Sequence, residues 1–146
     1  MQRRATYLNR EDVQSALHIR GTLPVLWQTC SHTGPLNYTT DYPSMIPYYD
    51  SIFSLSTSLR ILLYSGDTDI GTCPHMYTQL CMKDLKRKLL VPWHPWEVRG
   101  HIAGYSQVYD GYSFVTVKGA GHEAPQFAPL SSFELIRRFV IEKEIL

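Results

Sequence analysis

The sequence predicts an α/β fold, and only the C-terminal part of one, with an incomplete sheet. Three observations lead there. Leu59 to Tyr64 is an apolar run broken only by Arg60, the pattern of a parallel strand covered on both faces. Phe114 to Val117 is a second apolar, β-branched run, and it feeds a Gly119-Ala120-Gly121 turn that delivers His122. Helical patterns alternate with these strands, as they do in layered α/β folds. Two or three strands with one buried parallel member cannot cover both sheet edges. More sheet is therefore expected than these 146 residues supply.

The elements follow in order. Asn9 is placed to cap a short helix from Arg10 to about Ile19, with Glu11 and Asp12 in the first turn where the helix dipole favours acids. Val13, Ala16 and Leu17 share one face of it, and Gly21 and Pro24 close the region. Residues 28–47 are polar and turn-rich, with Gly34-Pro35 among them, and read as a long connection. A second helix is expected from about Met45 to Ser58 on the spacing of Ile46, Tyr49, Ile52, Phe53 and Leu55. After the Leu59–Tyr64 strand, a helix is expected over Pro74–Leu90, ended by Pro92-Trp93-His94-Pro95-Trp96. Strands follow near residues 96–99, 101–109 and 113–117, and Asp110-Gly111 between alternating runs signals a hairpin. The last helix spans about Leu130–Ile141, with Phe133, Ile136, Phe139 and Val140 expected inward.

Composition narrows the function classes. By length the chain is a single, partial domain over residues 1–146. A net charge of +1 gives no overall pull toward nucleic acid or an anionic membrane. The basic cluster from Lys83 to Lys88 is interrupted by Asp84 and Leu85 and reads as a solvated helix face. No apolar stretch approaches the roughly 18 residues a membrane span needs. No apolar core of a secretory leader follows Met1, which by itself points to the cytosol. Three cysteines, Cys30, Cys73 and Cys81, cannot all pair with one another. Cys73, His75 and Cys81 lack the paired spacing of zinc sites, so no metal and no cofactor is expected.

The chemistry concentrates at two strand ends. Asp67 and Asp69 follow the first strand and His122 follows the last. An acid can orient an imidazole by accepting from its Nδ1–H, and it stabilises the imidazolium formed when the base takes a proton. Asp then His is the chain order of an α/β-hydrolase triad after its serine. The serine is missing: no Gly-x-Ser-x-Gly occurs. Gly104-Tyr105-Ser106 and Gly111-Tyr112-Ser113 begin like a nucleophile elbow, but both sit in expected hairpin strands and lack the second glycine. The expectation is the C-terminal part of an α/β-hydrolase fold without its nucleophile-bearing half.

The chain resembles the serine carboxypeptidases over nearly its whole length. The segments that carry the resemblance are Tyr7-Leu8-Asn9-Arg10 with Asp12-Val13-Gln14 and Ala16-Leu17-His18, then Trp27, Cys30 and Ser31, then Met45-Ile46-Pro47. Leu59 through Asp69, Pro92-Trp93, Gly104-Tyr105, Tyr109 and the Gly119–Pro125 block complete it.

The resemblance implies roles. Asp69, the second acid of the Gly-Asp-x-Asp motif, would serve the triad, with Asp67 a structural acid beside it. His122 would be the general base. Glu123 would line the pocket for the departing C-terminal residue, and by charge complementarity would favour a basic one. Cys30 would bridge to an upstream segment absent here. Cys73 lies one residue further from Asp69 than a buried thiol of some members, and a Cys73–Cys81 pair is an alternative. The nucleophile elbow, the oxyanion-hole amides and the grip on the substrate carboxylate would all lie upstream.

The function so implied is a serine carboxypeptidase acting on peptides in a lysosome, a vacuole or outside the cell. The missing N-terminal part of the same enzyme would be its partner, with oligomers compatible. Alone, the chain is expected to be inactive and poorly folded. It stands either for a truncated product, which Met1 favours, or for the small chain of a two-chain enzyme. An acyltransferase using the same triad, or a non-catalytic interaction fragment, are the alternatives. Asn37-Tyr38-Thr39 is a possible glycosylation acceptor.

Overall fold

The computed structural model describes residues 2–19, 26–29, 41–55 and 58–142. The chain divides into two compact units, residues 1–43 and 44–146.

The first unit holds α1 (Gln2–Leu8) and α2 (Glu11–Ala16). The helix expected from Arg10 is α2, and it ends early because His18 takes φ 56°. Its cap is Arg10, not Asn9. The Asn9 side chain is used elsewhere: its Nδ2 donates to the carbonyls of Ala5 (2.8 Å) and Trp27 (2.9 Å), and its Oδ1 accepts from the Trp27 N–H (2.6 Å). A residue that makes three such bonds cannot also cap. Cys30 and the Asn37-Tyr38-Thr39 acceptor lie outside the described residues.

The second unit is built on a four-stranded sheet in the order β1-β4-β3-β2. The strands are β1 (Ile61–Gly66), β2 (Leu89–Val98), β3 (His101–Tyr109) and β4 (Tyr112–Val117). The α/β class is as expected. β1 pairs parallel with β4, from Ile61 opposite Tyr112 to Gly66 opposite Val117. β3 and β4 form the hairpin across Asp110-Gly111, with Tyr109 opposite Tyr112. Arg99 and Gly100 join β2 to β3 with φ of 52° and 77°, the two left-handed positions that a tight turn matched to strand twist requires.

Among the described strands β4 has a neighbour on each side and β1 on one side only. Every residue of β4 is buried, whereas β1 lies at the edge and is half-buried over most of its length. Ser113 and Thr116 in β4 are polar yet buried, so hydrophobicity alone does not mark β4 as the strand covered along its whole length. The side chains of β4 alternate between two apolar layers. On one face Val115 and Val117 meet Trp96, Ala103, Ala124 and Leu135. On the other Tyr112 and Phe114 meet Met82 and Leu85, with Ile46, Tyr49 and Phe53 of α3 (Ile46–Leu55) against them.

Three element boundaries differ from expectation. The helix expected to reach Leu90 is α4 (His75–Lys83), and β2 begins at Leu89. The Pro92–Trp96 segment that should break a helix is instead strand. Proline is tolerated there because β2 is an edge strand and its register slips between Val91 and His94. The basic cluster is therefore mostly turn. Arg87 in it pairs with Asp110 at 2.7 Å and lies over the Phe53 ring.

The C-terminal helix forms as α6 (Pro129–Ile141), preceded by the short α5 (Ala124–Phe127). Its inward residues are Ser132 and Leu135. Phe133, Ile136 and Val140, expected inward, are exposed at 65%, 43% and 64%. The helix carries apolar residues on two faces, and the sheet covers only one of them.

Candidate active site

The site lies where the carboxyl ends of β1 and β4 run side by side. Parallel pairing brings Gly66 level with Val117, so the chain leaving each strand must pass the other. Gly66 permits this, since a Cβ there would lie 2.6 Å from the Ala120 carbonyl carbon and closer still to the carbonyl oxygens of Ala120 and Gly121. The two turns are stitched together: the N–H of Asp67 donates to Val117 O (3.1 Å) and that of Thr68 to Ala120 O (3.0 Å). The Gly119 N–H donates to Asp67 Oδ1 at 2.7 Å. Gly119 sits at φ 70°, in the left-handed region that glycine reaches without strain.

Asp69 is 7% exposed and accepts three backbone hydrogen bonds. Its Oδ1 takes the N–H of Gly71 (3.3 Å) and Thr72 (2.9 Å), and its Oδ2 takes that of Cys73 (3.0 Å). An aspartate whose own following backbone wraps its carboxylate is held in one orientation. The Thr72 N–H is the largest influence holding the carboxyl below its ordinary value; burial opposes it, and His122 and the Cys73 and Gly71 amides add to it. Donors placed on the charged form favour that form.

His122 Nδ1 lies 2.9 Å from Asp69 Oδ2. An ionised carboxylate only accepts, so the Nδ1 carries the proton and the neutral ring keeps Nε2 as an acceptor. The imidazole side chain is 55% exposed, against a buried partner. A basic nitrogen oriented from behind by a fixed acid, and open in front, can take a proton from a hydroxyl placed there. A depression of about 170 Å³ opens at this point, lined by Tyr64, Ser65, Asp69, Cys73 and His122 among others.

The structure thus brings Asp69 and His122 together and places Asp67 on the same turn as Asp69, bonded to Gly119 of the His122 turn. Glu123 follows His122, exposed, at the N-terminal end of α5, where its carbonyl accepts from the N–H of Gln126 (2.8 Å) and Phe127 (3.3 Å). Ser106 and Ser113 are buried within β3 and β4, where neither can meet a substrate. Cys73 and Cys81 are both free and exposed. Pro74 and six residues of α4 separate them, and no disulfide joins them.

Sequence reasoning missed two contributors. Gly66 was read only as part of a motif, although its lack of a side chain admits the His122 turn. Cys73 was compared with a buried thiol, yet it is exposed and its N–H holds Asp69. The run Asp69-Ile70-Gly71-Thr72-Cys73 carries the signal for that second contact, since aspartate before a small-residue turn commonly accepts from the backbone ahead.

Comparison with known proteins shows the family. The family described as Serine carboxypeptidase matches residues 1–142. Serine carboxypeptidase-like 27 of Arabidopsis thaliana is 41% identical over 139 residues, which is 94% of this chain and 29% of that protein. Serine carboxypeptidase-like 34 of the same plant is 39% identical over 95% of this chain and 27% of its own length. For Serine carboxypeptidase-like 25 the figures are 36%, 95% and 29%. The chain therefore spans less than a third of the relatives it matches.

Proposed function

The chain belongs to the serine carboxypeptidase family, and on that footing we propose that it carries the acid and the base of a triad that hydrolyses C-terminal residues from peptides, the serine coming from a segment outside these 146 residues. The observation that carries this reading is the 2.9 Å contact between His122 Nδ1 and Asp69 Oδ2.

In this reading the serine hydroxyl stands at His122 Nε2. As the hydroxyl attacks the last peptide bond, Nε2 takes its proton, and Asp69 stabilises the imidazolium. The imidazolium then gives the proton to the leaving amine. Water enters, loses a proton to the same nitrogen, and releases the acyl group from the serine. Glu123 lines the pocket of the departing residue. The low pKa of Asp69 keeps the acid ionised in a mildly acidic vacuolar, lysosomal or extracellular setting.

The partner in this reading is the upstream, nucleophile-bearing part of the same enzyme. Two features support it. Among the described residues β1 pairs only with β4, which leaves an open edge on the strand that leads into Asp69. Ile70, next to that aspartate, is 88% exposed.

The test joins this chain to the upstream part of Serine carboxypeptidase-like 27 and measures hydrolysis of a blocked dipeptide. The fusion should be active, the 146-residue chain alone inactive, and His122→Ala in the fusion should lower kcat by on the order of 10⁴-fold or more. Hydrolysis by the chain alone, or an unaffected His122→Ala fusion, would sink the proposal.

A further inference from the structure

We propose that Asp69, Cys73 and His122 together form a binding site for a borderline-soft divalent cation of the Zn²⁺ class, and that occupancy switches the base off. The inhibitory half of this inference rests on the hydrolase reading above; the binding half does not.

The three residues offer a carboxylate oxygen, a thiol sulfur and an imidazole nitrogen whose donor atoms all lie within 4.8 Å of one another. A tetrahedral Zn²⁺ with bonds of about 2.0–2.3 Å spaces its donors roughly 3.3–3.8 Å apart. Closing the difference takes about 1 Å of movement from side chains free to give it, since Cys73 and His122 are both exposed. The fixed point is Asp69, buried and locked by the amides of Gly71, Thr72 and Cys73. The Cys73 backbone is held in turn, because its carbonyl accepts from Ser65 Oγ at 3.2 Å. Ligands whose own partners orient them are the ordinary condition of metal sites.

The donor set selects the ion. Sulfur and nitrogen beside one oxygen suit Zn²⁺, Co²⁺ or Cd²⁺, whereas Ca²⁺ and Mg²⁺ take oxygen ligands. Three protein donors at an open depression leave a fourth position for water. Cys73, His75 and Cys81, whose spacing argued against a metal, are not the group assembled: among the described residues Cys73 groups with Asp69 and His122.

Binding changes the base by proton bookkeeping alone. The cation takes His122 Nδ1, so the ring's single proton moves to Nε2, exchanged through solvent, and the ring stays neutral. The Cys73 thiol binds as thiolate and gives its proton to solvent. One proton is released per ion. With Nε2 protonated and Nδ1 on the metal, the imidazole has no lone pair for a serine hydroxyl. The ion is an inhibitor in this scheme and no part of the reaction.

The experiment titrates the fusion with Co²⁺ and reads the thiolate-to-metal charge-transfer band, then displaces Co²⁺ with Zn²⁺. Cys73→Ser should abolish the band and weaken Zn²⁺ binding by more than about tenfold, the least that even an outer partner of a metal site contributes. Cys81→Ser should keep both. Nitrogen-15 NMR of His122 should move from the Nδ1–H to the Nε2–H tautomer on Zn²⁺ addition. A band that survives in Cys73→Ser, a band lost equally in Cys81→Ser, or an unchanged tautomer would each overturn the site. Because none of these readouts is hydrolysis, an inactive fusion leaves this result standing, and an absent band leaves the hydrolase reading standing.

Discussion

Gly66→Ala is the sharpest test of how the site is built. The added methyl would sit 2.6 Å from the Ala120 carbonyl carbon and closer to two carbonyl oxygens, all of them backbone. Backbone cannot rotate away as a side-chain tip can, so the carboxyl ends of β1 and β4 must part by roughly 1 Å to restore van der Waals contact. Parting costs the bonds that stitch the turns: Asp67 N–H to Val117 O, Thr68 N–H to Ala120 O, and Gly119 N–H to Asp67 Oδ1. Three bonds at about 1 kcal/mol each, with about 1–2 kcal/mol of residual overpacking, give a loss of about 4–5 kcal/mol. A domain of ordinary stability has only about 5–15 kcal/mol to lose. Gly71→Ala is the matched control, since a Cβ there meets nothing within 4 Å; it should be neutral or stabilising by up to about 1 kcal/mol. Urea unfolding of the fusion measures both, with the midpoint shift read at constant slope. If Gly66→Ala unfolds within about 1 kcal/mol of the wild type, the close approach of the two turns is not what holds His122 in place.

Three further outcomes are expected. Asp69→Asn should lower kcat of the fusion enzyme by on the order of 10⁴-fold, because the amide favours the wrong imidazole tautomer. It should also alter stability against pH: the Asp69 pKa is depressed below 3.8, so its contribution is present above that value and is lost as pH falls through the folded value. The stability gap between wild type and Asp69→Asn should therefore shrink below about pH 4 in acid titrations. Burial pushes the Tyr112 phenol up to about 12 from 10.0, so its contribution is full below pH 10 and is lost as pH rises toward 12. Tyr112→Phe should flatten that alkaline loss, and an unchanged alkaline slope would refute the assignment. Glu123→Gln in the fusion should reduce the rate on a C-terminal Arg substrate relative to a C-terminal Leu substrate; an unaltered ratio would remove Glu123 from the leaving-residue pocket.

Much of the site was legible because its signals are local. Acids directly after an apolar run and a histidine directly after a glycine turn mark strand ends, and parallel strands carry their ends to the same edge. The hairpin at Asp110-Gly111 was equally local. The Asn9 cap failed because the competing partner, Trp27, lies 18 residues away. The α6 face failed because an apolar stripe announces only that a residue can be buried, not that a surface exists to bury it.

The sequence by itself determined the α/β class, the two strand ends that carry Asp69 and His122, and the absence of a Gly-x-Ser-x-Gly in these residues, since each is written in contiguous residues. Only the tertiary structure decided that β1 runs parallel beside β4 and that β4 is buried along its whole length, because strand order depends on pairing between segments some 50 residues apart in sequence. It also decided what surrounds the acid. Asp69 Oδ2 meets both the exposed ring of His122 and the backbone N–H of Cys73, and no spacing along the chain specifies that His122, 53 residues on, reaches that oxygen.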